Sequence, residues 1–131
     1  MKFTFSKQEK LTQQSIIDLI FKKDSPIVVE QFVYPFRILF MNQNKNYPNP
    51  KVLISVTKRK FKKAVDRNLL KRRIREAYRL NKPFFHQNEN KSLPEFIVFT
   101  YIGKKIEDFE LIQEKMIKTL ELLSQPNHEK N

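Results

Sequence analysis

The sequence predicts a small α+β domain, a single sheet with helices packed on it. Three observations carry that prediction. Segments rich in β-branched and aromatic residues alternate with segments whose apolar residues recur at helical spacing. Their order is helix, three strands, helix, strand, helix. The chain has 131 residues, 40% of them apolar, which suffices for one modest core. It shows no internal repeat and no linker. Residues 1–131 therefore read as a single domain, with 125–131 as a flexible tail.

The first helix is expected from about Gln13 to Lys23, because Ile16, Ile17, Ile20 and Phe21 fall on one side of it. Thr12 is its expected cap, Ser6 and Glu9 fit an earlier capping box, and Asp24, Ser25 and Pro26 break it. Residues 27–41 read as strand, divided at Pro35. In the second piece Phe36, Ile38 and Phe40 point one way, and Arg37, Leu39 and Met41 the other. Residues 42–50 are loop by composition, and Lys51 to Thr57 form the next strand. The second helix spans about Val65 to Leu80 and ends at Asn81, Lys82 and Pro83. Residues 84–94 are polar and loop-like, with room for one short helical turn. Phe96 to Tyr101 is a strongly apolar strand, and Gly103 to Lys105 turn the chain. The last helix, about Glu107 to Ser124, buries Phe109, Ile112, Met116, Leu120 and Leu123.

Composition removes several classes of function. Without cysteine there is no disulfide framework and no thiolate zinc site. His86 and His128 stand apart in polar or Pro-rich surroundings and read as solvated side chains, not metal ligands. The N-terminus lacks a signal-peptide core, and no apolar run approaches the ~20 residues of a membrane span, so the chain reads as cytoplasmic. The single glycine, Gly103, rules out a Gly-rich phosphate loop. Twelve phenylalanines and no tryptophan mean that Phe fills much of the core, with a few rings left to stack on bases.

The net charge is +12, and its distribution is informative. Residues 58–82 hold twelve Lys and Arg against only Asp66 and Glu76. Successive helical residues turn through about 100°. On that wheel Leu70, Ile74, Ala77 and Tyr78 form a buried stripe. Asn68, Lys71, Arg72, Arg75 and Arg79 form a contiguous face beside it. Arg67 lies on the border, and Arg73 lies elsewhere as ordinary surface. Asp66 and Glu76 are expected to point away from the cationic face, leaving its repulsion uncompensated. Such a face suits an external polyanion, with Arg forks matched to phosphate and Asn68 able to donate and accept. The run KRKFKK, residues 58–63, extends the positive surface. Charge alone does not separate RNA from DNA or a membrane surface. The helix nevertheless lacks the aromatic apolar face of an interfacial helix, and a strand with a basic loop precedes it where a helix-turn-helix needs another helix.

At this helix the sequence resembles the bacterial ribonuclease P protein component family. The family pattern runs AV, one residue, RN, two residues, KR, two residues, R. Here those positions are Ala64, Val65, Arg67, Asn68, Lys71, Arg72 and Arg75. SVTKR, residues 55–59, resembles the family's strand-end segment, and EKL with a helix ending IFKK resembles its start. The likeness covers most of residues 7–124. Two positions depart from the pattern: Leu69 stands where Arg is frequent, and the glycine common before AV is missing.

The resemblance implies a left-handed βαβ crossover at the basic helix and a role in removing 5′ leaders from precursor tRNA. The partner it implies is the catalytic ribonuclease P RNA, one protein per RNA. That RNA performs the hydrolysis with Mg2+, and the protein binds no cofactor of its own. Carried onto this sequence, Arg67, Asn68, Lys71, Arg72 and Arg75, with Lys58, Arg59 and Arg79, are expected to contact the catalytic RNA. Ile17 and Phe21 from the first helix, with Ile38 and Phe40 from the sheet, are expected to line a cleft for the single-stranded leader. The residues themselves offer no protein catalyst: no carboxylate cluster for two-metal hydrolysis and no His beside a plausible nucleophile. Three alternatives stay open on the sequence: an rRNA-binding structural protein, a DNA-binding regulator and a protein nuclease.

Overall fold

The structure, a computed structural model, describes residues 9–22, 25–43, 49–86 and 93–125. Its elements are α1 (Gln14–Phe21), β1 (Val29–Val33), β2 (Phe36–Met41), β3 (Lys51–Ser55), α2 (Ala64–Asn81), α3 (Pro83–His86), β4 (Phe96–Tyr101) and α4 (Phe109–Leu123). The four strands form one mixed sheet in the order β1-β2-β4-β3. β1, β2 and β4 are antiparallel neighbours, whereas β3 runs parallel to β4. A parallel pair cannot be closed by a hairpin, so the chain crosses over between them through α2 and α3.

The central strands are apolar on both faces because both faces are covered. Phe36, Ile38 and Phe40 of β2, with Ile97, Phe99 and Tyr101 of β4, pack under α2 and α4 against Leu70, Ile74, Tyr78, Ile112, Met116 and Leu120. Each such buried side chain contributes roughly 1.5–3 kcal/mol. Ring contacts tie this layer together, edge-on between Phe36 and Phe99 at 6.0 Å and tilted between Tyr78 and Phe99 at 5.9 Å. On the opposite face Leu39, Met41, Phe96 and Val98 lie under α1, packed against Leu11, Ile16, Ile20 and Val28.

The segment before α1 lies along the outer edge of β3. The Leu11 N–H donates to the Val52 carbonyl at 2.9 Å, and Lys10 makes a parallel bridge to Val52. Glu9 anchors it through a nearly buried ion pair with Lys82, 3.2 Å apart, at the end of α2. Lys82 Nζ also donates to Asn49 Oδ1 at 2.6 Å. Burial raises the Tyr78 phenol above its usual range, and the charge of Glu9 adds to that.

Two helix starts differ from expectation. Gln13, not Thr12, occupies the N-cap of α1, and its side chain makes no capping bond. α4 starts two residues later than its acids suggest, because Asp108 is itself the cap: its Oδ1 accepts from the Leu111 N–H at 2.9 Å. Ser6, His128, residues 126–131 and much of the two polar loops lie outside the described residues.

Candidate nucleic-acid interface

α2 packs its stripe of Leu70, Ile74, Ala77 and Tyr78 fully into the core, as the 3.6-residue period requires. That fixes the rotation of every other side chain on the helix. Asn68, Arg72 and Arg75 are exposed, and Lys71 is half-buried beside them. Among the described residues no carboxylate forms an ion pair with Lys71, Arg72, Arg75, Lys58 or Arg59.

The other arginines of α2 have partners within the chain. Arg67 Nη1 donates to the Phe61 and Lys62 carbonyls at 2.8 and 2.9 Å, clamping the basic turn onto the first turn of α2. Arg73, read from sequence as ordinary surface, is half-buried. Its Nη1 donates to the Glu107 carbonyl at 2.6 Å and ties α2 to the segment before α4. Arg79 overturns one expectation. Glu76 does not point away but pairs with it through two hydrogen bonds, one of 3.0 Å from Nε. The Arg79 hydrogen bonds hold the Glu76 carboxyl below its usual range. The cationic face is therefore narrower than the wheel implies: Asn68, Lys71, Arg72 and Arg75, continued by Lys58 and Arg59.

The sheet face toward α1 holds a second feature. The register aligns Phe32 of β1, Arg37 of β2, Thr100 of β4 and Ser55 of β3 in one row across all four strands. α1 covers the next rows, around Leu39, Val98 and Leu53 and around Met41 and Phe96, and leaves Phe32 and Arg37 of this row open, whereas the Thr100 hydroxyl is buried. Phe32 is 61% exposed. Arg37 lies beside it, its Nε donating to Glu30 Oε2 at 2.6 Å. Phe21, at the end of α1, is exposed, and Ile17 is half-buried against the α1 core.

Ile38 and Phe40 do not belong with them. Both are buried, at 0% and 2% exposure, on the other face of the sheet beneath α2 and α4. The expectation that they line a cleft with α1 is corrected for a simple reason. Alternation along β2 turns Leu39 and Met41, not Ile38 and Phe40, toward α1. The sequence reading did not single out Phe32, Arg37 and Ser55, although Arg37, a cation within an apolar strand, signals the partly solvated face.

Among the described residues no group of three His, Asp or Glu side chains comes together as metal ligands would. None of the described helices is long and apolar enough to cross a membrane.

Comparison with known proteins decides the family. The family model Ribonuclease P matches residues 5–123. The chain belongs to the ribonuclease P protein family. It is 32% identical over 120 residues to the ribonuclease P protein component of Porphyromonas gingivalis strain W83, covering 90% of this chain and 85% of that one. It is 33% identical over 126 residues to that of Thermotoga sp. strain RQ2, covering 92% and 96%. The solved ribonuclease P protein of Thermotoga maritima superposes with a TM-score of 0.66 at 27% identity, covering 88% of this chain and 98% of that one. As a ribonuclease P protein component, the chain takes part in tRNA 5′ processing as one member of an endoribonuclease complex.

Proposed function

We propose that the chain binds the ribonuclease P RNA through the exposed face of α2, and the 5′ leader of precursor tRNA along the open row beside α1. One observation carries this reading. Lys71, Arg72 and Arg75 project with Asn68 from a helix whose opposite side is locked in the core, and no carboxylate of the described chain pairs with them. Bringing phosphates against such a face releases counterions and relieves the repulsion among the cations. The row offers what a single strand needs: an exposed ring for stacking at Phe32, a guanidinium at Arg37 and a hydroxyl at Ser55.

In this reading the RNA subunit performs the hydrolysis and holds the Mg2+ that the reaction uses. The protein supplies position: it holds the leader and so helps fix the scissile phosphate against the RNA's active site. The complex has one protein per RNA and works in the cytoplasm.

The test is reconstitution. With the RNA subunit at low Mg2+, the wild-type chain should stimulate cleavage of precursor tRNA. Arg72→Ala with Arg75→Ala should weaken assembly and lower the salt dependence of binding by roughly one unit of slope per lost phosphate contact. An unchanged slope would remove α2 from the interface.

A further inference from the structure

A second group of cations lies where β3 and β4 end. Lys58, Arg59 and Lys60 follow β3, Lys104 and Lys105 follow β4, and all five are exposed. The two loops are fastened together. Lys60 Nζ donates to the Ile102 carbonyl at 2.9 Å, and the Phe61 ring packs on the Tyr101 ring at 5.7 Å. The β4–α4 loop is fastened again from within. The Tyr101 hydroxyl donates to the Lys105 carbonyl at 2.6 Å and accepts from the Glu107 N–H at 3.0 Å. Burial raises the Tyr101 phenol, which keeps it protonated as that double role requires. A third tie comes from α2 itself, where Arg73 donates to the Glu107 carbonyl.

The adjacent acids are otherwise engaged. Glu107 Oε2 accepts from the Tyr34 hydroxyl at 2.8 Å, and Asp108 caps α4. Among the described residues none of the five cations has an ion-pair partner. The fold thus holds like charges in a set arrangement with no carboxylate in ion-pair contact among the described residues, which is stable at little cost only in water or against a polyanion.

We propose that Lys104 and Lys105, with Lys60, form a second phosphate-binding surface for the ribonuclease P RNA, continuous around the end of the sheet with α2. This rests on the reading of α2 given above. The RNA subunit fits better than the leader because Phe61, Tyr101 and Arg73 tie these loops to the helix-covered face of the sheet. The open row beside α1 lies on the other face.

The experiment measures binding of the full-length protein to the ribonuclease P RNA between 50 and 200 mM salt. Two lost phosphate contacts reduce the slope by about 1.4–1.8 units, so across that range wild type should lose about tenfold more affinity than the K104A/K105A variant. Thermal unfolding should be unchanged, and K104R/K105R should keep the wild-type slope. An unaltered slope in K104A/K105A would overturn the proposal. So would a loss seen only with leader-bearing precursor tRNA, or a loss shared by the arginine pair, which would trace the defect to loop geometry. R72A/R75A run in parallel separates the two readings. If it alters the slope and K104A/K105A does not, only the second surface fails; if neither does, the α2 reading fails as well.

Discussion

Phe40 and Phe32 should respond to truncation in opposite ways, and the contrast tests which sheet face meets RNA. Phe40 is 2% exposed within the layer beneath α2 and α4. Phe40→Ala removes a ring that nothing nearby can replace, and a buried Phe→Ala costs about 3–5 kcal/mol. Domains of this size are stable by only about 5–15 kcal/mol, and each kcal/mol moves the melting temperature by roughly 3–5 °C. The expected fall is therefore roughly 10–25 °C. Phe32 is 61% exposed on the row that α1 leaves open. Phe32→Ala should change stability by no more than about 0.5 kcal/mol. If a leader base stacks on it, about 1–3 kcal/mol of binding disappears, a roughly 5- to 150-fold loss of affinity. The assays are thermal unfolding of the protein and binding of precursor tRNA, with and without its leader, to the reconstituted complex. A Phe40→Ala protein that melts within a few degrees of wild type would refute the core assignment. A Phe32→Ala complex that holds the leader normally would refute the row as its site.

Three further outcomes follow from single contacts. Gly103→Ala places a Cβ 2.9 Å from the Tyr101 hydroxyl and 3.0 Å from its ring, so loop or ring must shift; chemical unfolding should show a loss of about 1–3 kcal/mol. Lys82→Met leaves Glu9 nearly buried without its cation, and the same measurement should show about 3–5 kcal/mol, with restored stability in the Glu9→Gln, Lys82→Met double variant. The Glu76 carboxyl, held low by Arg79, contributes stability above the ordinary carboxylate range and loses it as pH falls through the lowered value; Glu76→Gln should therefore flatten the acid limb of the stability curve slightly.

What the sequence revealed follows the range of the forces involved. The α2 stripe was legible because a helix repeats its burial every 3.6 residues, and four apolar positions phase the whole face. The strand pair split at Pro35 was legible because proline interrupts a ladder locally. The open sheet face was misread because β2 is apolar on both sides, so alternation separates the faces without saying which one α1 covers. Only the register with β1 and β4, together with the shortness of α1, leaves the Arg37 row open. The Glu76–Arg79 pair lay within reach of sequence, since side chains three apart are neighbours on a helix. The Arg73–Glu107 tie did not, because it joins residues 34 apart through the tertiary fold.

The partition of arginines along α2 constrains what any RNA partner can gain from this helix. Arg67 and Arg73 satisfy backbone carbonyls of the chain's own turns, and Arg79 is matched by Glu76. Removing Arg67 or Arg73 should therefore act first on the position of the loops. Lys71, Arg72 and Arg75 remain for phosphate, with Asn68 free to orient a phosphate or read a base edge. Three cations give a salt slope of about 2–3 units from α2, not the four or five that a count of its basic residues suggests. A larger measured slope must come from cations elsewhere, and the exposed lysines at the ends of β3 and β4 are placed to supply it.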